Sequence, residues 1–399
     1  MLDLASGLPY FWIKNGLPFE HDALKEDVHC EVLVVGGGIT GALCAHACAK
    51  AGLETTVVDS RAIGTGSTAA STALLQYELD VPLHVLAENI GERVAVRTYR
   101  SGIEAVGKIV ALARSLGLES ARSRSSLQYA SRRAHEAGLK KEFAIRGANG
   151  IPAELLSRSE TKQRFGSIDA MALFNECAGE VDPYALTHHL LQSVVDLGGS
   201  IYDRTEVVHF ERKAQGFELR TRSGHTITAA HLIMATGYES QRYLSKPVMD
   251  LHSTYAVASE RIGQETIWHD DCLIWETATP YLYMRTTPDR RVVVGGFDEP
   301  FRDPQRRDKL LTRKTKKLTA AFRDRFPLVP FEPEYAWCGT FGSTRDGLPY
   351  IDQDPDCGAW FVLGMGGNGI TFSMIGAEIV RDAILGTPNA NAALFRFKR

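Results

Sequence analysis

The sequence predicts an α/β architecture: a parallel sheet flanked by helices, interrupted by an inserted α+β unit on a mostly antiparallel sheet. Three observations carry this. Between positions 31 and 61 a β-branched run, spaced glycines, an alanine-rich stretch and an acidic residue follow one another, the order of a β-α-β unit. Near the C-terminus a second glycine loop opens another helical stretch, which assigns both chain ends to one nucleotide-binding-type unit. Between them there is no internal repeat and no low-complexity linker, so a second unit must be woven in rather than strung on.

Bulk properties narrow the class. A chain of 399 residues is long for one core and implies two domains, or one with large insertions. Hydrophobic residues make up 44% and charged residues 23%, as in ordinary globular proteins. A net charge of −3 argues against nucleic acid or an anionic membrane as partner, and "RRDKLLTRKTKK" reads as a solvated helix face. Seven scattered cysteines without a CxxC pair fit reduced thiols, no histidine or cysteine set has metal-ligand spacing, and the N-terminus lacks a basic leader with an apolar core. The uncharged stretch 32–49 is broken by glycines and His46, so it reads as strand, turn and helix rather than an integral membrane segment. A cytoplasmic protein is expected.

The elements follow in order. Residues 31–35 read as a buried strand, 39–51 as a helix closed by Gly52, and 55–59 as a second strand. From about 82 to 163 the pattern is helical, with glycine or asparagine stops. A helix opened by Pro183 leads into a strand, and alternating segments follow to Gly237. Residues 250–297 are strand-rich, with a hairpin turning at 287–290; 306–326 form an amphipathic helix. A strand at "WFVLGM" and a helix over 370–385, stopped by Gly386 and Pro388, end the chain.

The glycines point to a pyrophosphate. Gly36 permits the tight turn, Gly38 the approach of backbone to phosphate, and Gly41 close helix–strand packing, while the helix start at Ile39 and Thr40 directs N–H groups outward. Asp59, with Ser60 and Arg61, ends the second strand where ribose hydroxyls would lie. These features alone do not separate FAD from NAD. The run "GTGSTAASTALLQYELD" does, since it opens a second helix whose Gly66, Ser67, Thr68, Ser71 and Thr72 line an extended cofactor. Further contacts are expected from Val207, from Ala235, Thr236 and Gly237, from Gly339, and from Gly366, Gly367, Asn368, Gly369, Ile370 and Thr371 in the C-terminal loop. The positive helix end at that loop suits negative charge on a reduced flavin ring.

The segments "VVGGGITGALCAHACAKAGLETTVVD", "GSTAASTALLQYELD", "GEVDPYALTHHLL", "IMATGY", "WCGTFGSTRDGLPYID" and "GMGGNGITFSMIGAEIVRDAILG" together resemble the glycine/D-amino-acid oxidase (DAO) family of FAD-dependent oxidoreductases. The resemblance implies a Rossmann-like FAD-binding domain of glutathione-reductase type from 1–84, 178–245 and 336–399, with a substrate-binding domain from 85–177 and 246–335. It implies oxidation of a C–N bond of an amine or amino acid to an imine, with oxygen or another carrier as electron acceptor. D-amino acids, sarcosine-like secondary amines and polyamine conjugates all fit. Where many relatives carry Arg-Pro this chain has Phe341–Gly342, and the lysine some relatives use toward oxygen falls near Val293. No histidine lies in 64–73, so noncovalent FAD is expected, with a link at Cys338 as the alternative.

For the substrate, Tyr281, Tyr283 and Arg285 share one strand face, where two phenols and a guanidinium would bind a carboxylate; alternatively Arg285 flanks an exposed turn. Tyr255 either lines the same cavity or belongs to the core. Two other readings compete: a flavin monooxygenase, which needs a further nucleotide-docking element that this sequence lacks, and a non-catalytic flavin-bearing electron-transfer subunit.

Overall fold

The computed structural model describes residues 2–244, 246–263 and 267–399; the expected domain boundary at Ser245 lies outside them. Two sheets organise these residues, one of eight strands and one of ten.

The eight-stranded sheet is built around Val28–Val35, whose second half, Val32 to Val35, is apolar and buried on both faces. Val32 and Val34 enter a core shared with the Ile39–Lys50, Pro183–Asp196 and Gly369–Ile384 helices, while Leu33 and Val35 enter a second core with Phe217 and Leu219. Burial on both faces is why the strand reads as continuous rather than alternating. Thr226–Met234 and Thr55–Val58 flank it in parallel, with Trp360–Leu363 and Ser200–Tyr202 outside them. Tyr350–Gln353 adds an antiparallel edge, and the meander Val207–Lys213, Gly216–Thr221 branches from Thr226–Met234. The glycine loop and the Gly366–Gly369 loop therefore lie at the C-terminal ends of parallel strands, where open α/β sheets bind ligands.

In the ten-stranded sheet the order is Ala5–Gly7, Pro333–Ser343, Asp250–Ser259, Val292–Glu299, Tyr283–Thr286, Leu273–Glu276, Arg122–Tyr129, Ala172–Glu180 and Leu74–Leu75, with Glu154–Leu156 beside Ala172–Glu180. The pairing is antiparallel except between Leu273–Glu276 and Arg122–Tyr129. Helix Pro304–Arg325 covers one face, packing Leu318 and Phe322 with Val257, Val292 and Val294. The Pro333–Ser343 strand spans position 336 and pairs within this sheet, and Ala172–Glu180 likewise spans 177.

Two local expectations are corrected. The stretch 82–163 is not wholly helical: strands Arg122–Tyr129 and Glu154–Leu156 separate the helices. "RSRSSLQY" has no apolar period because its polar side chains are answered internally, Arg122 and Arg124 by Glu180 and Ser126 by Glu78. Nor does 64–73 start a helix. It forms successive turns closed by Ala69 N–H to Gly64 O (3.1 Å) and Ser71 N–H to Thr68 O (3.2 Å), ending at Ala73 with φ +56°.

A buried ionic network holds the following residues. Arg146, 1% exposed, donates to Glu78 (2.9 Å) and Glu142 (2.8 Å) between the Tyr77 and Tyr99 rings. Burial opposes the Glu142 charge, but hydrogen bonds from His84 and the Arg146 cation hold its carboxyl at about 2. Removing the cation would leave two buried carboxylates without the guanidinium they share, so Arg146→Met is expected to cost about 3–5 kcal/mol, seen as a lower denaturation midpoint in urea.

Candidate active site

A cavity opens between the two sheets, and its walls come from segments far apart in sequence. The glycine loop sets one end. An added Cβ on Gly36 would meet Ala235 O at 2.4 Å, and one on Gly41 would lie 1.7 Å from Gly36 O. Gly36 also holds φ +116°, so both a close approach and a left-handed backbone demand glycine there. Asp59 fastens the loop to the strand end: Gly37 N–H donates to Oδ2 (2.6 Å) and Arg61 N–H to Oδ1 (2.7 Å). Burial pushes the Asp59 carboxyl up, against those two bonds. Ile39 N–H donates to Thr68 Oγ1 (3.0 Å), joining the helix start to the 64–73 turns.

Of the residues expected to hold cofactor, the cavity is lined by Gly36, Gly38, Ile39, Thr40, Asp59, Ser60, Arg61, Gly66, Ser67, Thr68, Ser71, Thr72, Val207, Ala235, Thr236, Gly237, Gly339, Gly366, Gly367, Gly369 and Ile370. Three lie behind the wall. Gly41 packs on Gly36, Asn368 donates to Gln76 O (3.1 Å) and Glu78 O (2.9 Å), and Thr371 donates to Gln76 O (3.1 Å). Thr40 and Ser373 share a hydroxyl–hydroxyl bond of 2.8 Å, which ties the two loop helices together.

On the substrate side the outcome is mixed. Tyr281 and Tyr283 line the cavity, their ring centroids 5.7 Å apart, and burial pushes both phenols up. Arg285 does not line it, and it is not exposed at a turn either. It is 1% exposed, stacked on Phe11, and donates through Nη1 to Ala73 O (2.8 Å). It lies on the tyrosine face but beyond the cavity, where the sheet runs under the N-terminal helix Tyr10–Asn15. Burial pushes this guanidinium down, partly offset by the Glu180 carboxylate. Tyr255 is a core residue of the opposite face, donating to Arg307 O (3.4 Å) beneath the Pro304–Arg325 helix. Cys338 pairs across from Tyr255, and its thiol donates to Asp308 (3.4 Å) on that same face.

The structure adds Thr254, Asp298, Thr340, Phe341 and Tyr238 to the wall, with Asp80 at its rim. Asp298 reaches it through a β-bulge. Tyr283 and Arg285 pair with Gly295 and Val293, and strict alternation would put Phe297 next on that face. Instead, Ser253 pairs with Glu299 while Tyr255 pairs with Gly296, one residue extra on the second strand. Gly296 (φ +133°) and Phe297 (φ +55°) absorb the kink; Phe297 turns to the helix side under Lys317, and Asp298 turns to the cavity. The only advance signal was Gly295–Gly296 inside a strand, itself a mark of bulges.

Burial pushes the Asp298 carboxyl up to about 6, with Asp80 adding to the effect and a Thr254 hydrogen bond opposing it. Tyr281 Oη donates to Asp80 Oδ1 (2.8 Å), and Gly367 N–H lies 3.3 Å from Asp80 Oδ2. Among the described residues the cations lining the cavity are Arg61, paired to Glu239 at 2.9 Å, and Arg242. No helix among them is long and apolar enough to cross a membrane.

A parallel sheet with a glycine loop on each of two converging helices, roofed by an antiparallel sheet, defines a dinucleotide-dependent enzyme. The family model for FAD dependent oxidoreductases (DAO) matches residues 31–383, and the chain belongs to that family. It is 24% identical over 384 residues to a glycine oxidase of Bacillus licheniformis, covering 92% of this chain and 96% of the relative. It is 25% identical over 388 residues to a gamma-glutamylputrescine oxidoreductase of Escherichia coli, covering 92% and 86%. Among solved structures, glycine oxidase from Geobacillus kaustophilus superposes with a TM-score of 0.78 at 18% identity, covering 93% and 99%. L-proline dehydrogenase from P. horikoshii superposes with a TM-score of 0.76 at 21% identity, covering 94% and 97%.

The walls fit FAD. Gly36 and Gly38 present bare backbone to the cavity, with Gly41 seating the helix behind them, and Ser67 Oγ is buried at the cavity without a protein partner, as a hydroxyl awaiting a ligand oxygen would be. Gly41→Ala would drive the helix start off Gly36. This variant is expected to purify without the visible absorbance of flavin, and the wild type with it.

Proposed function

We propose that the cavity holds FAD noncovalently and oxidises the C–N bond of an amine or amino acid. The glycine loop, Asp59, Ser60, Arg61 and the 64–73 turns would hold the pyrophosphate and ribose, and the Gly366–Ile370 loop the ring system. One observation supports this most: the two glycine loops and the Tyr281–Tyr283 pair face a single cavity. Noncovalent binding is supported by Cys338, whose thiol is spent on Asp308 behind the sheet.

Bound FAD supplies the acceptor for a hydride. The chain's part is to orient the substrate's α C–H toward it and exclude water, with Tyr281, Tyr283, Phe341 and Tyr238 as the apolar surround. The neutral amine, with its nitrogen lone pair free, would lose that hydride with its two electrons and leave as an iminium ion. Water then adds to the carbon, the nitrogen leaves, and a carbonyl compound is released.

Anaerobic mixing with a panel of amines and D-amino acids is expected to bleach the flavin band. Readmitted air then identifies oxygen as acceptor if colour returns within seconds, or a separate carrier if it does not. Acid precipitation is expected to release the flavin to the supernatant. Bleaching by NADPH alone, or by nothing on the panel, would overturn the reading.

A further inference from the structure

We propose that the substrate of this cavity is a cationic amine without a carboxylate on the reacting carbon, its ammonium group received by Asp298, whose carboxylate takes up one N–H proton to leave the neutral amine that is oxidised. This rests on the reading of the cavity given above and narrows its substrate class.

Charge is the first argument. At the end formed by Thr254, Tyr281, Tyr283, Thr340 and Phe341, Asp298 is the charged group of the wall, and Asp80 stands behind Tyr281. Among the described residues the cations near that end stay out of the wall and hold other groups, Arg285 with its buried Nε left without a partner. Arg285 is held on Ala73 O, Lys314 on Phe297 O and Glu299 (2.6 Å), and Arg307 on Asp3, Asp308 and Thr340. A carboxylate placed here would meet two like charges and, among the described residues, no guanidinium in the wall; an ammonium would meet two opposite ones.

Unused capacity is the second argument. Asp298 Oδ1 is buried and has no hydrogen-bond partner, whereas the rest of its carboxylate is engaged by the Thr254 hydroxyl. A buried acceptor without a donor is costly, and an alkylammonium supplies up to three donors. Tyr281 and Tyr283 add ring faces of the kind that attract such a cation. The third argument is strain. Two successive residues with positive φ, one of them Phe297, are maintained to aim this side chain, and such strain concentrates at functional sites.

The test uses the flavin-loaded enzyme and three probes of nearly one shape, none with an α-hydrogen to lose: tert-butylammonium, pivalate and 2-aminoisobutyrate. Binding is read as perturbation of the flavin spectrum and by calorimetry, independently of turnover. Expected are saturable binding of tert-butylammonium, at least tenfold weaker binding of 2-aminoisobutyrate, and no binding of pivalate. The groups facing Asp298 are Asp80, Tyr281, Tyr283 and, from the helix behind, Lys314. With its carboxyl ionising near 6, affinity for the cation should fall about tenfold from pH 8 to pH 5, because the carboxylate is neutralised while the amine stays charged. Asp298→Asn should weaken the cation at least tenfold and Asp298→Glu should restore part of it, both with flavin retained. If Asp298→Asn fails to fold, the three probes and the pH series on the wild type still decide. Tighter binding of pivalate or 2-aminoisobutyrate, or no binding of any probe, would overturn the proposal. In the anaerobic panel, bleaching by amino acids only removes this inference and leaves amine or amino-acid oxidation standing; bleaching by no compound removes both.

Discussion

At Gly41 the loop helix lies so near the Gly36 carbonyl that not even a methyl group fits between them. That contact fixes where the helix begins and how it leans on Val28–Val35. Helix Ile39–Lys50 in turn receives the C-terminal helix through the Thr40–Ser373 bond, so two loops more than three hundred positions apart open on one space. Asp59 and Thr68 then consume N–H groups of the loop that would otherwise be unsatisfied at a helix start. Most of the cavity's shape follows from these few short contacts.

Much of this was legible in the sequence because it is local. A glycine that must approach backbone, a strand buried on both faces and a helix stopped by glycine leave signatures within a dozen residues, as at 31–59 and 360–386. What escaped was set by pairing partners distant in sequence. Arg122–Tyr129 looks unlike a strand until Glu180 and Glu78 are placed beside its arginines and serines. Period-two alternation correctly puts Arg285 on the tyrosine face, yet it says nothing about how far along that face the cavity extends; the guanidinium ends against Ala73 and Phe11. Asp298 escaped for the complementary reason, since one inserted residue exchanges the two faces of a strand.

The two ends of the cavity differ in character. Near Asp59, arginines and carboxylates alternate, with Arg61 bridging Glu239 and the Leu2 carbonyl. Near Tyr283 the wall is aromatic and hydroxylic, with carboxylates and, among the described residues, no guanidinium. The first arrangement suits a ligand shared by a whole family; the second, built on a kinked strand edge and loop residues, is where related chains can diverge without disturbing the scaffold.

Asn368 and Thr371 both reach back to the carbonyl of Gln76, so the last wall of the cavity is hung on a segment made some three hundred residues earlier. Loosening that attachment would open one wall of the cavity while leaving the loop at Gly36–Gly41 in place, so the two halves of the wall can fail independently.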